Sequence, residues 1–248
     1  MKKMKRIIIF IIVVCGLAMT VHAETIHVVG TEYPPFTYLQ DGVPVGFAIG
    51  LLKAMFKETT LEAEFRLFPW ERARTMLTEK KNTLAFLARN TKREKLYKWI
   101  GPVYPRTIAL YRLKTRPEIH LGSADDIGSY KIGVVRGYAG INDLLRAGIP
   151  QHNLEDVSRD ELNIRKLFEA RIDLIANNDL VLAYLLRNEG HSFADVENVL
   201  AITGEGESYY YFGMNNKTDD RLVTQLQRAL KKLKENGTYG AMLKEYLK

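Results

Sequence analysis

Cysteine is almost missing from this 248-residue chain, in which Cys15 is the only one. It lies inside an apolar N-terminal run, so nothing that follows can form a disulfide or a thiolate metal site, and stability must come from a buried core. Histidine is nearly as scarce. His27, His120, His152 and His191 stand far apart, without the short paired spacings of a zinc centre, so neither a metal nor another cofactor is expected. Long apolar runs are lacking too: beyond Ile7 to Met19, no segment approaches the roughly 20 residues that a membrane-spanning helix needs. There is no Gly-x-Ser-x-Gly elbow and no Gly-Lys-Ser/Thr phosphate loop, and Gly204-Glu205-Gly206 lacks the strand-to-helix setting of a dinucleotide site. The acid pairs Asp125-Asp126 and Asp219-Asp220 sit in polar turns, where helix capping explains them better than acid-base chemistry. The chain is therefore not expected to be an enzyme.

What is present begins with an export signal. Met1 to Arg6 carries four cations, Ile7 to Met19 is almost wholly apolar, and Val21-His22-Ala23 forms a small-x-small cleavage site before Glu24, so residues 1–23 read as a signal peptide. Val14 is too bulky before Cys15 for a lipoprotein site, and a soluble exported chain is expected. Cleavage removes four cations and no acid, which takes the net charge from +7 to about +3. The remaining Lys and Arg are interleaved with Asp and Glu rather than gathered in a stripe, which argues against a nucleic-acid partner.

Strand and helix signals alternate along the rest, the pattern of an α/β protein. Ile26–Gly30, Ala63–Phe68 and Leu84–Ala88 read as strands, and the last is apolar enough for a buried parallel one. Phe47, Leu51, Leu52, Met55 and Phe56 mark a helix opened by Gly46, and Pro69 opens another through Trp70, Ala73 and Leu77. After an extended run over Thr107–Leu113, a second α/β unit follows, with strands at Lys131–Val135 and Ile172–Ala176 and helices at Ile141–Ala147, Glu161–Glu169 and Leu180–Arg187. Val196–Ile202 and Tyr209–Met214 read as two further strands. A helix from Leu222 to Leu233, stopped at Asn236-Gly237, and a last short helix close the chain. This order predicts two lobes, the second inserted into the first, joined by two extended crossovers that act as a hinge. Residues 24–110 and 212–248 would form lobe one, and 111–211 lobe two.

One local feature points to a ligand. Arg89, Lys92 and Arg93 follow the apolar run Leu84–Ala88 at what reads as the first turn of a short helix. A helix N-terminus already carries roughly half a positive charge, so cations there call for an anion. A solvated basic turn screened by Glu94 is the plainer alternative.

The Tyr33-Pro34-Pro35-Phe36 loop, Asp41-Gly42 before Val45-Gly46-Phe47, Asn90-Thr91-Lys92-Arg93 before Trp99 and Gly101-Pro102-Val103-Tyr104, then Ile132-Gly133-Val134, Ala170-Arg171-Ile172-Asp173, Phe212-Gly213-Met214 and Asn236-Gly237-Thr238-Tyr239 occur in an order and spacing that carry a resemblance. The chain resembles the periplasmic solute-binding proteins of the polar amino acid type that serve ABC transporters. That implies a type II two-lobe periplasmic fold, a cleft that engulfs a small carboxylate-bearing or amino-acid-like ligand, an inner-membrane ABC permease as partner, a monomer, and a periplasmic location. It also implies that Arg93 clamps the ligand carboxylate through two parallel hydrogen bonds, as a planar guanidinium can. Tyr33 and Phe36 would cover the ligand's apolar part, with Trp70 behind them unless it is ordinary core.

Two departures stand out. Similar proteins place a carboxylate for the ligand ammonium where Asn178 stands here, with Asp179 one residue later. Small residues usually line the strand before Arg93, where Phe86 and Ala88 give a tighter wall. Arg89 and Arg72 could add guanidinium groups to the pocket or stand in structural ion pairs, with Glu71 or Glu94 as the partner of Arg72. The Arg136-Gly137-Tyr138-Ala139-Gly140 turn could offer backbone amides, and Arg136 could reach into the cleft or lie exposed. Two other roles remain open: a periplasmic enzyme of the cyclohexadienyl dehydratase kind, and a sensing module for a membrane receptor.

Overall fold

The structure, a computed structural model, describes residues 24–136, 140–202 and 209–247. The signal peptide expected over residues 1–23 lies outside the described residues, as do Gly137 and the 204–207 stretch. Two five-stranded mixed sheets, each flanked by helices, make a two-lobe α/β fold of the class expected from the sequence.

The first sheet has the order β4-β1-β5-β12-β6. Its strands are β1 (Thr25–Gly30), β4 (Glu62–Leu67), β5 (Thr83–Ala88), β6 (Tyr97–Pro105) and β12 (Tyr209–Asn215). Strand β5 lies in the middle, parallel to β1 and antiparallel to β12. Helices α1 (Phe47–Lys57), α2 (Trp70–Glu79), α6 (Asp220–Glu235) and α7 (Thr238–Tyr246) belong to this lobe, and a small hairpin of β2 (Tyr38–Gln40) and β3 (Val43–Val45) precedes α1. The second sheet, β11-β7-β10-β8-β9, is built from β7 (Ile108–Leu113), β8 (Ile132–Val135), β9 (Leu154–Val157), β10 (Leu174–Asn177) and β11 (Val196–Ile202). Its helices are α3 (Gly140–Arg146), α4 (Asp160–Phe168) and α5 (Asp179–Asn188).

Each lobe has its own apolar core. In the first, the α1 stripe of Phe47, Leu51, Leu52, Met55 and Phe56 is buried against Ile26, Val28, Phe212 and Met214; each such side chain contributes about 1.5–3 kcal/mol. The second core gathers Leu110, Ile132, Leu144 and Leu174. Leu180, in the first turn of α5, joins the first-lobe core, so this second-lobe helix is seated on its neighbour.

The chain changes sheet between Pro105 and Ile108, and again between Ile202 and Tyr209. The limits read from the sequence, after residues 110 and 211, cut through β7 and β12. Each of these two strands is extended along its whole length, and nothing local tells which sheet such a strand joins. Strand β6 was not legible because Gly101, Pro102 and Pro105 interrupt it; it lies at the sheet edge, where such residues are tolerated. The Asp41-Gly42 turn of the small hairpin did carry a signal, since both residues adopt positive φ as a tight hairpin turn demands.

Candidate ligand-binding site

One wall of the site grows from the Tyr33–Thr37 loop. This loop is clamped onto the start of α1, where the N–H groups of Phe47 and Ala48, which have no partner within the helix, donate to the carbonyls of Pro35 and Phe36 at 2.8 and 2.9 Å. Gly46 makes the approach possible: it has φ 116°, and a Cβ there would stand 2.5 Å from the Phe36 carbonyl oxygen. The loop then presents half-buried Tyr33 beside Tyr210 of β12, with the two hydroxyls 2.8 Å apart. Phe36 lies underneath. It is fully buried and stacks on Tyr33 and Phe86 at centroid distances of 5.2 and 5.1 Å, so it supports the wall from behind rather than lining it as expected. Burial pushes the Tyr210 hydroxyl above its ordinary pKa of 10.0, against the hydrogen bond from Tyr33 and the charge of Arg106.

The facing wall comes from the second lobe. Asn178 caps α5, its side-chain oxygen accepting from the Leu180 N–H at 3.2 Å while its amide donates to the Thr107 carbonyl at 3.1 Å. These bonds tie the helix start to the first crossover. Asp179 accepts from the Tyr104 hydroxyl at 2.5 Å and from the Leu180 N–H at 2.8 Å, which bridges the two lobes. Tyr104 is pushed well above the usual tyrosine range, first by burial and then by the Asp179 charge.

Between the walls lies a cavity of about 140 Å³, lined by Tyr33, Tyr210, Arg106, Thr107, Ile108, Gly140, Asp143 and Asn178. Tyr33, Gly140 and Asn178 are residues the sequence singled out. Tyr210, Asp143 and the Arg106–Ile108 segment are not. Tyr210 could have been found from alternation, since it follows Phe212 and Met214 onto the core face of β12, whereas Arg106 and Asp143 reach the cavity only through tertiary placement.

The basic residues divide sharply. Arg93 is half-buried, its guanidinium 5.6 Å from the Trp70 ring and donating to the Ala88 carbonyl at 3.1 Å, so Arg93, Trp70 and Ala88 are brought together. The segment that carries it forms consecutive turns from Thr91 to Leu96 and not a helix; with β6 starting at Tyr97, no room remains for one, and the helix-terminus charge that suggested an anion is absent. Arg89 turns away from the main core. Along β5, Leu84, Phe86 and Ala88 face the main core, and Arg89 continues the other row, stacking 5.1 Å from the Tyr211 ring and pairing with Glu94 at 2.5 Å. The pair raises the Arg89 pKa and lowers that of Glu94. Arg72 is exposed over the Phe68 ring at 4.5 Å, while Glu71 pairs with Arg74. Arg136 is also exposed and is held by Asp156 at 2.6 Å, so it does not line the cavity. Among the described residues, no group of three or more His, Cys, Asp or Glu is placed to hold a metal ion.

Two lobes hinged by paired crossovers, with a cavity walled by both, define a ligand-binding protein of the two-lobe class. The chain belongs to the bacterial extracellular solute-binding proteins, family 3, whose family model matches residues 26–248. It is 26% identical over 232 residues to the arginine-binding periplasmic protein of Mannheimia haemolytica, covering 90% of this chain and 91% of that one. A probable histidine-binding protein of Neisseria gonorrhoeae is 25% identical over 223 residues, covering 87% and 80%. Among solved structures, substrate-binding domain 2 of Lactococcus lactis GlnP, in its open conformation, superposes with a TM-score of 0.77 at 16% identity over 92% of this chain and 97% of that one, which shows the shared fold.

Proposed function

We propose that this protein is a periplasmic receptor that closes on a small amino-acid-like solute bearing a carboxylate, and presents it as a monomer to an inner-membrane ABC permease. The cavity between Tyr33 and Tyr210 on one side and Gly140, Asp143 and Asn178 on the other carries this reading, because a ligand held there touches both lobes only when they are together. Its differential affinity for that arrangement is what drives closure. Arg93, braced by Trp70 and the Ala88 carbonyl, keeps donors for a ligand carboxylate at the same end of the first sheet. The names of the curated relatives, an arginine-binding and a probable histidine-binding protein, favour an amino acid as the ligand class. Family membership favours binding rather than catalysis.

A thermal-shift screen against amino acids and dicarboxylates tests this. A ligand at 100 times its dissociation constant adds about 2.7 kcal/mol of stability. The expected result is a clear rise in Tm with an amino acid that disappears in Arg93→Ala, whose loss of a charge-assisted contact costs about 2–3 kcal/mol of binding. A screen with no stabilising amino acid would overturn the receptor, and unchanged affinity in Arg93→Ala would overturn the role of that residue.

A further inference from the structure

The second lobe sets three helix starts, each with an aspartate, at one edge of its sheet. Strands β10, β8 and β9 lie side by side and run parallel, so they end at the same edge, and the helices that follow them begin there: α5 after β10, α3 after β8 and α4 after β9. Gly140 of α3 and Asn178, the cap of α5, line the cavity, which shows that this edge faces it. The first turns of the three helices carry Asp143, Asp160 and Asp179, and these acids are not equally compensated. Asp143 is paired with Arg146, and Asp179 accepts from the Tyr104 hydroxyl. Asp160 has no ion pair among the described residues; its Oδ1 accepts from the neutral side-chain amide of Asn177 at 3.1 Å. Helix α4 packs over β8 and β10 as well as β9, which is how Asp160, although it follows β9, meets the end of β10. The oxygen of the same Asn177 amide accepts from the Asn178 N–H at 2.9 Å, so the carboxylate stands two hydrogen bonds behind a residue of the cavity wall. Burial, followed by the charge of Glu161, raises the Asp160 pKa above its ordinary 3.8, and the Asn177 hydrogen bond acts the other way. A carboxylate withdrawn from water with no cation beside it is costly to keep, and its place at a helix start offsets only part of that cost.

We propose that Asp160 supplies the negative charge that draws the ligand's ammonium to the second lobe, acting from behind Asn178, an inference that rests on the solute-binding function proposed above. Asn178 itself is neutral, and its side chain is engaged with the Leu180 N–H and the Thr107 carbonyl, so it shapes the wall without carrying the charge. Asn177 is held in one orientation, its NH₂ toward the acid and its oxygen toward the Asn178 N–H, because a carboxylate only accepts and a backbone N–H only donates. An ammonium brought against this wall leaves water behind, and in such surroundings a charge several ångströms away is poorly screened. The occupied cleft then holds two opposite charges where the empty one holds an acid without a cation, and the gain exists only when the ligand lies against both lobes. A hydroxyl in place of the ammonium draws nothing comparable from Asp160, and a second carboxylate there is repelled, so the acid selects by exclusion as well as by attraction.

Calorimetric titration of the purified protein with the twenty amino acids finds the tightest binder. Its 2-hydroxy acid analogue, which keeps the carboxylate and the side chain and replaces the ammonium by a hydroxyl, is the control, and both are then titrated into Asp160→Asn. The expected result is that the wild type binds the amino acid at least tenfold tighter than the analogue, and that Asp160→Asn loses at least tenfold toward the amino acid while its affinity for the analogue changes less than threefold. A merely structural role would weaken both ligands alike. Equal losses for the two, an unchanged amino acid affinity in Asp160→Asn, or a wild type that holds the analogue as tightly as the amino acid would each overturn the inference and leave the receptor function standing. If Asp160→Asn fails to fold by circular dichroism, Asp160→Ser, which keeps a residue suited to a helix start without the charge, takes its place. Absence of binding to any amino acid overturns the receptor function itself, and this inference with it.

Discussion

The two walls of the cavity are built by different physics. On the first lobe, Tyr33 and Tyr210 are the outermost layer of a stack of rings that continues through Phe36 and Phe86 into the core, so the shape of the wall is set by packing. On the second lobe, the wall is made of helix starts and a charged pair: Gly140 opens α3, Asn178 caps α5, and Asp143 lies between Arg106 and Arg146. Packing resists deformation in every direction, while hydrogen bonds and ion pairs fix direction and sign. One wall is thus fixed in shape by packing, and the other in direction and sign by its polar contacts.

The difference can be broken most strongly from the packed side. Phe36→Ala removes the ring beneath Tyr33 and should cost about 3–5 kcal/mol of stability, read as a lowered urea midpoint. A second substitution tests the stitch between the walls. Tyr104→Phe removes the donor to Asp179 and leaves a partly buried carboxylate without that partner, which should cost about 1.5–3 kcal/mol; an unchanged urea midpoint would show that the bridge between lobes adds nothing.

The smallest effect belongs to the polar lobe away from the cavity. Glu155 is held below its ordinary pKa of 4.5 by hydrogen bonds from Lys166 and then Lys131. Because the folded value is depressed, its contribution is present above pH 4.5 and fades as the pH falls through the folded value. Tm measured from pH 6 downward should therefore fall more steeply below pH 4.5 in the wild type than in Glu155→Gln, and parallel curves would remove Glu155 from the account.

The same contrast governs what the sequence could reveal. The α1 stripe and the closing helix at Leu222–Leu233 are periodic, the run Leu84–Ala88 is apolar throughout, and the structure has each within a residue or two of its expected place. The Pro-Pro-Phe loop was recognisable, but Phe36 points inward, because the carbonyls of Pro35 and Phe36 are taken by the α1 N-terminus and turn the loop over its own ring. Charges were the least legible. Arg89 and Arg93 are four residues apart and reach different partners, since one continues the strand's alternation to Tyr211 and Glu94 and the other follows a series of turns to Trp70. Arg106 and Asp143, 3.9 Å apart in space, are far apart in the chain, and no local pattern couples them.

Only Arg106 and Thr107 separate β6 of one sheet from β7 of the other, so Arg106 stands on the line about which the lobes turn. A point on an axis has no lever arm: the rims sweep through an arc while the pivot stays in place. A residue so close to the crossover therefore travels far less than the rims in any swing of the lobes.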